Sequence, residues 1–203
     1  MADEYTKIAS DEVIDATVKA LKDNSFDALV VENKEAAKEA VLKLIPKGTE
    51  VFTNTSVTLD ETGISEVVNG SDYISARNKM MELYADPSKK KEMKQIASAP
   101  DYALGSVHAL TQDGKLMIAS ASGSQFPGEA FGSDKVIFVV GAQKLVKDLA
   151  AGLKRVEEHS VPLEDKRAQA AYGAGTKFAK LLVLNADAPG RITVVIVKES
   201  IGF

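Results

Sequence analysis

The sequence contains no cysteine and only two histidines. Without cysteine the chain has no disulfide, no thiolate nucleophile and no cysteine ligands for an iron–sulfur cluster. Two histidines supply few nitrogen ligands for a transition metal. We therefore expect no resident cofactor and no built-in metal centre.

The sequence also lacks a strong excess of either charge and any long apolar run. Its formal net charge is −4, whereas a nucleic-acid-binding surface needs a basic stripe, so we expect no nucleic-acid partner. No run approaches the roughly 18 apolar residues of a membrane-spanning helix. The first residues, MADEYTKIAS, are acidic where a signal peptide is basic. We expect a cytoplasmic protein with no membrane partner.

What is present is typical of a globular domain. The 203 residues are 45% hydrophobic and 27% charged, and a chain of this length buries roughly 70% of its unfolded surface. We predict one domain over residues 1–203. Residues 1–50 are predicted to form a helix–strand–helix segment packed on the rest, which either covers the sheet or mediates self-association.

Apolar runs alternate with amphipathic stretches along most of the chain. Ser10 and Asn33 are typical helix N-caps, and further helices are predicted over 64–68, over 78–98 with a break at Pro87, and over 143–158. The predicted strands read FDALVVE, TEVFT, DYISA, DYALG, KLMIAS and KVIFVVG. This alternation predicts an α/β fold, a largely parallel sheet with helices on both faces.

The C-terminal part has a different pattern. The apolar runs LLVLN and RITVVIV are separated by the turn residues ADAPG. Two runs joined by a short turn are typical of a hairpin or an antiparallel edge. We therefore predict a C-terminal antiparallel strand pair beside the parallel sheet.

Two polar loops leave predicted strands and enter predicted helices: TNTSVTLDETG at 53–63 and SASGSQFPG at 120–128. Ligands of parallel sheets bind beyond the carboxyl ends of the strands, where helix N-termini attract anions. We predict that these loops converge on a small carboxylate or phosphate. The candidate ligand-binding residues are Asn54, Ser56, Thr58, Ser122, Gly123, Ser124, Gly128 and, from a later basic segment, Arg167.

Each of these features also has a structural interpretation. Small polar residues between a strand and a helix are often only a turn. Thr58 and Glu61 have the spacing of a capping box, so Glu61 is either a cap or a catalytic carboxylate. His108 is either a general acid or base or a structural residue. Arg167 either binds an anion or forms a surface ion pair, and His159 is expected at the negative end of its helix.

Several blocks in a fixed order carry a family resemblance. They are TSVTLDETGI, ALTQDGKLMIASASGSQ, FGSDKVIFVVGAQKLVKDLAAGLKRV, VPLEDKR and GRITVVIVKESIGF. Together they resemble the LUD (lactate-utilisation) domain family, in its LutC and YkgG-like branch, from about Val51 onward. The first block matches a G-S-x-T-L-E-E-x-G pattern at Ser56, Thr58, Leu59, Glu61 and Gly63, whereas Thr55 stands where glycine is usual. The resemblance implies a fold like that of the NagB/RpiA/CoA-transferase superfamily.

The resemblance also implies an association with growth on lactate, beside iron–sulfur lactate-oxidising proteins. Close relatives often carry a cysteine-bearing insertion after the block matched by Lys166 and Arg167, and this chain has none, which excludes a cluster here. A second copy of the chain and the lactate-oxidising proteins are the macromolecular partners that remain open.

Three functional hypotheses follow. The first is an accessory or regulatory protein that binds a small anionic metabolite. The second is a CoA transferase or sugar-phosphate isomerase with Glu61 as the carboxylate, since Glu61 and Glu129 alone adjoin the polar loops. The third is a structural dimer without a ligand.

Overall fold

The computed structural model describes residues 4–203. The α-helices of this part of the chain are α1 (Asp11–Asp23), α2 (Lys34–Leu44), α3 (Val57–Glu61), α4 (Ile64–Val68), α5 (Ala76–Leu83), α6 (Lys90–Ser98), α7 (Leu149–Arg155) and α8 (Val161–Tyr172). The strands are β1 (Asp27–Val31), β2 (Glu50–Thr53), β3 (Ile74–Ser75), β4 (Tyr102–Gly105), β5 (Ala109–Thr111), β6 (Leu116–Ser120), β7 (Lys135–Gly141), β8 (Leu145–Val146), β9 (Lys180–Leu184) and β10 (Ile192–Val197).

Among residues 4–203 the main sheet has six strands, all parallel, in the order β1-β10-β7-β4-β2-β3. The central strands β7 and β10 are almost continuously apolar because both of their faces are buried. Phe138 of β7 packs with Ile14 of α1 on one face. Val139 packs with Val41 of α2 on the other. The prediction of a parallel sheet covered on both faces is confirmed.

A smaller sheet lies on the α1 face of the main sheet. Its order is β8-β5-β6-β9, with β5–β6 and β6–β9 antiparallel. Gly114, at φ +80°, forms the turn between β5 and β6, a conformation that favours glycine. Leu110 and Ile118 of this sheet share the apolar core of α1. The small sheet therefore packs on the main sheet through the apolar core that both share with α1.

The predicted antiparallel strands near the C-terminus exist, but they do not form a hairpin. β9 pairs with β6 in the small sheet, from Ser120↔Lys180 to Leu116↔Leu184. β10 instead lies between β1 and β7 and is parallel to both. The run ITVVIV has no polar alternation, which suits a strand buried on both faces rather than an edge.

Three local predictions also need correction. The helix predicted over 143–158 starts only at Leu149, because the chain first makes a 3₁₀ turn at Ala142–Lys144 and then β8. The chain continues through a π-helical segment, Val156–Ser160, into α8. His159 is therefore not at a helix end, and the centre of its ring lies 5.2 Å from that of Tyr5.

The strand predicted in DYISA is only Ile74–Ser75 long. The break at Pro87 is confirmed, since a 3₁₀ segment separates α5 from α6.

Candidate functional site

A cavity of about 320 Å³ opens where the carboxyl ends of β2, β4 and β7 meet. These three strands are neighbours in the sheet. The residues that follow them line the cavity: Asn54 after β2, Ser106 and His108 after β4, and Lys144 after β7. The end of β6, helix α8 and the segment 176–178 supply the opposite side. The site therefore lies where ligands of parallel sheets usually bind.

The structure brings the two predicted loops together at this cavity. Of the predicted ligand-binding residues, the following line it: Asn54, Ser56, Thr58, Ser122, Ser124 and Arg167. Gly123 and Gly128 do not. A Cβ at Gly123 would meet Lys180, and one at Gly128 would face Ser133 and the end of α6. These two glycines serve chain packing rather than approach to the cavity.

The hydroxyl groups of the second loop form their hydrogen bonds mainly within that loop. Ser120 Oγ donates to Gln125 Oε1 at 3.1 Å and accepts from Gly123 N at 2.8 Å. The hydroxyls of Ser122 and Ser124 are 3.2 Å apart. Ser122 and Ser124 are exposed, and their side chains remain within reach of a ligand at the cavity edge.

Ser56 is the N-cap of helix α3, and its Oγ accepts a hydrogen bond from Leu59 N. The capping box predicted for Thr58 and Glu61 is therefore wrong, because Thr58 lies one residue inside the helix. Thr58 is buried, and its Oγ1 accepts a hydrogen bond from Lys144 instead. The hydroxyl predicted as a cap is thus turned towards the interior of the site.

Lys144 is 1% exposed and lies deep in the cavity wall. Its Nζ donates to Thr58 Oγ1 at 2.9 Å and to Ser106 Oγ at 3.1 Å, and no carboxylate among residues 4–203 forms an ion pair with it. Burial and then the cation of Arg155 lower the pKa of Lys144 to about 7, while Glu61 raises it. Neutral and protonated forms of this amine therefore coexist near neutral pH.

His108 also lines the cavity and is neutral. Burial, then the cations of Lys144 and Arg155, lower its pKa to about 3. Nδ1 accepts a hydrogen bond from Ala119 N at 3.1 Å, so the ring hydrogen of the neutral imidazole is on Nε2. At neutral pH His108 can donate a hydrogen bond but cannot act as a cationic acid.

Glu129 is buried and is bonded to the half-buried Asn54 of the first loop. Asn54 Nδ2 donates to Glu129 Oε1 at 2.6 Å. Burial raises the pKa of Glu129 to about 8, against the effect of this hydrogen bond. Asn54 Oδ1 and Glu129 Oε2 are both buried without a partner. A protonated Glu129 has a hydroxyl hydrogen to donate as well as oxygens that accept.

Basic side chains outnumber acidic ones in the lining of the cavity. Arg77, Lys144, Arg167 and Lys177 face it, against Glu164 as the acidic residue. Arg167 donates through Nε and Nη2 to both oxygens of Glu164 at 2.7 Å, so the ion pair expected as an alternative is present.

Arg77 donates to Thr53 O at 3.1 Å and to Thr55 Oγ1 at 3.0 Å. Neither acceptor is charged, so the charge of Arg77 is not compensated by its hydrogen-bond partners.

The sequence model of the LUD domain family matches residues 14–197. The chain belongs to the LUD-domain family. None of the curated proteins matches it. A solved relative is similar in structure, the crystal structure of a DUF162 family protein from Deinococcus radiodurans, with 14% sequence identity and a TM-score of 0.58. The likeness covers 94% of this chain and 99% of that one, and at this identity it shows the fold.

In this LUD domain Glu61 does not line the cavity. Its Oε2 accepts a hydrogen bond from Gly202 N at 2.7 Å. Gln143 Nε2 donates to Ile201 O and Gly202 O at 2.8 and 3.2 Å. Ile201 is buried in the apolar core of α2, and Phe203 lines the cavity. Glu61 therefore anchors the C-terminal tail, residues 201–203, which forms part of the wall.

The most buried charges of the LUD domain were not predicted from its sequence. Arg155 is 0% exposed; it donates to His108 O at 2.7 Å and to Ser160 Oγ at 3.0 Å. Lys144 and Arg155 both fall in the stretch 143–158, where charged residues look like the solvated face of a helix. One signal could have identified Lys144: it follows the apolar run KVIFVVG, at the carboxyl end of a predicted central strand.

The described part of this LUD domain, residues 4–203, has no group of three or more metal-binding side chains placed to hold an ion. In the same residues, no helix combines the length and the apolar character that crossing a membrane requires.

Proposed function

We propose that this LUD-domain protein binds a small carboxylate or phosphate metabolite in the cavity and acts as an accessory or regulatory protein of lactate or other organic-acid utilisation. The observation that carries the proposal is the lining of the cavity, with four basic side chains against one carboxylate. Arg167 is already paired with Glu164 and Lys144 is partly neutral, so the charge that an anion would balance is mainly that of Arg77.

Arg77 is the main anchor in this proposal. Its guanidinium is fixed by Thr53 O and Thr55 Oγ1 at the end of β2, and it has further N–H groups to offer a ligand. A planar guanidinium matches carboxylate and phosphate oxygens in geometry. The hydroxyls of Ser56 and Ser122 lie on the same cavity and supply neutral hydrogen bonds to the remaining oxygens.

The size of the cavity favours a small ligand. About 320 Å³ is at the lower end of the range for small-molecule sites. The accessory role comes from the resemblance to lactate-utilisation proteins. The enzyme alternative with Glu61 as the reacting carboxylate is not supported, because Glu61 bonds to Gly202 N and does not line the cavity.

Thermal unfolding with and without inorganic phosphate or lactate tests the proposal. We expect millimolar phosphate or lactate to raise the melting temperature, since a ligand of the native state stabilises it. Arg77→Gln should weaken binding by about 10- to 100-fold, the value of a charge-assisted hydrogen bond.

Lys79→Gln is the matched control. It removes one positive charge from the same helix, but Lys79 pairs with Glu50 and does not line the cavity. If neither anion stabilises the native protein, or if the two variants respond equally, the proposed site is wrong.

A further inference from the structure

The hydrogen bonds of Lys144 join an amine to a hydroxyl that faces the cavity. Ser106 follows Gly105 at the end of β4, lines the cavity and is partly exposed. Lys144 Nζ lies 3.1 Å from Ser106 Oγ. A serine hydroxyl within hydrogen-bond distance of a base is the arrangement that activates a nucleophile, and lysine is the base in one variant of it.

Lys144 is suited to act as a base because it is buried without an acidic partner. A charged amine that is 1% exposed loses hydration, and the hydroxyls of Thr58 and Ser106 do not compensate a full charge. At a pKa of about 7, about half of the Lys144 side chains are neutral at pH 7. The ionisable groups that act on it are Arg155 from α7 and Glu61 from α3, together with the neutral His108.

The two hydroxyls bonded to Lys144 are not equally accessible. Thr58 is 1% exposed, and Gly202 packs so closely on it that a Cβ at that glycine would lie 2.1 Å from Thr58 Oγ1. Ser106 is partly exposed and borders the open volume of the cavity. Thr58 therefore orients the amine, and Ser106 is the hydroxyl that a substrate can reach.

We propose that Ser106 and Lys144 are the nucleophile and the general base of an acyl-transfer reaction on an ester or thioester of a small acid. This inference rests on the proposed function, because Arg77 would hold a second, free anionic group of the acyl chain, such as the free carboxylate of a dicarboxylic acid. The site would then be a hydrolase as well as a binding site.

The reaction balances with water as the second reactant. Ser106 Oγ attacks the carbonyl carbon while Lys144 Nζ takes the hydroxyl proton. The bond from that carbon to the leaving oxygen or sulfur breaks, and the ammonium of Lys144 gives its proton to the leaving group. Water then attacks the acyl-Ser106 ester, with Lys144 again taking and returning one proton, which releases the acid and restores Ser106. His108 lines the same cavity with its ring hydrogen on Nε2 and would be the donor for the transient oxyanion.

The test uses two p-nitrophenyl esters on the full chain, neutral p-nitrophenyl acetate and anionic mono-p-nitrophenyl succinate. We expect release of p-nitrophenol with an initial burst, and an acyl adduct that peptide mass spectrometry assigns to Ser106. Ser106→Ala should abolish both. Lys144→Met should slow release by about 100-fold or more, the usual contribution of a general base. The wild-type rate should rise with pH through about 7 as Lys144 loses its proton.

Ser71→Ala and Lys90→Met are controls, since both residues are exposed and outside the cavity; they should behave as wild type. Lys144→Met removes the amine and keeps an unbranched apolar chain in the buried position, and circular dichroism checks its fold. An adduct that persists in Ser106→Ala, or release that is independent of pH and of Lys144, overturns the inference.

Failure of the inference and failure of the proposed function are distinguishable. Stabilisation by phosphate or lactate without acylation of Ser106 removes the inference and leaves the binding function. Acylation of Ser106 by the acetate ester, without any stabilisation by the anions and without preference for the succinate ester, keeps the reacting pair and removes the anion site.

Discussion

At the scale of single residues, the carboxyl group of Glu129 shows how burial changes an ordinary side chain. In the sequence it is one of the two glutamates that adjoin the predicted polar loops. In the structure it is 1% exposed and bonded to Asn54, and burial raises its pKa from 4.5 to about 8. The sequence shows that a glutamate is present at position 129. Its protonation state depends on how other segments of the chain pack around it.

Glu129→Gln tests that state. The folded protein binds a proton at Glu129 more tightly than the unfolded chain does, so this group's contribution to stability is present below pH 4.5 and is lost as pH rises towards 8. Glutamine imitates the protonated acid, so the variant should gain stability relative to wild type between pH 5 and 8, by at most about 1.4 kcal/mol per pH unit.

Urea unfolding at pH 5, 6, 7 and 8 measures the difference. Glu66→Gln is the control, because Glu66 is exposed. His108 and Lys144 also contribute to the pH dependence of both proteins, and comparing the two curves removes their contribution. Parallel curves for Glu129→Gln and wild type would show that Glu129 is ionised in the folded protein.

At the scale of elements, local sequence signals worked where the partner groups are local. Ser10 and Asn33 cap α1 and α2 as predicted, because a cap depends on residues three positions away. The start of α7 has the same kind of signal in Asp148, whose Oδ1 accepts from Ala151 N at 2.9 Å. The predicted helix over 143–158 missed it because amphipathic spacing continued through the 3₁₀ turn and β8.

Asp148→Ala should lower the free energy of unfolding by about 1 kcal/mol, the usual value of an N-cap. Asp148→Asn keeps a side-chain acceptor and should restore most of the loss. Arg155 at the other end of α7 is held by its hydrogen bond to His108 O. In Asp148→Ala, fraying of α7 should therefore be limited to its first turn. Hydrogen exchange of the Ala151 amide, with urea unfolding, checks both; equal stability of the alanine variant and wild type would show that the cap contributes nothing.

At the scale of the whole molecule, the cavity depends on contacts between distant parts of the chain. The alternation of strands and helices predicted the parallel sheet and the meeting of the two polar loops at one edge of it. It could not predict that β10 separates β1 from β7, since strand order depends on long-range pairing. Nor could it predict that the C-terminal tail crosses to Glu61 and Gln143, because no local pattern encodes that contact.

Removal of residues 201–203 tests the tail. The deletion removes the burial of Ile201 and the hydrogen bonds to Gln143 and Glu61, so we expect a loss of stability of about 2–4 kcal/mol. It also removes Phe203 from the wall, so phosphate or lactate should stabilise the shortened protein less. Phe203→Ala is the matched variant and should change ligand binding with little loss of stability. A deletion as stable as wild type would show that the tail is only loosely attached.

The position of β10 has a consequence for how the protein is made on the ribosome. β1 pairs with β10 in the main sheet, and β10 is synthesised long after β1. β1 therefore has no sheet partner until most of the chain has been synthesised and β10 has left the exit tunnel. During that interval the apolar side chains of α1 and α2 lack the strands that later cover them, which is when chaperones would have most to bind.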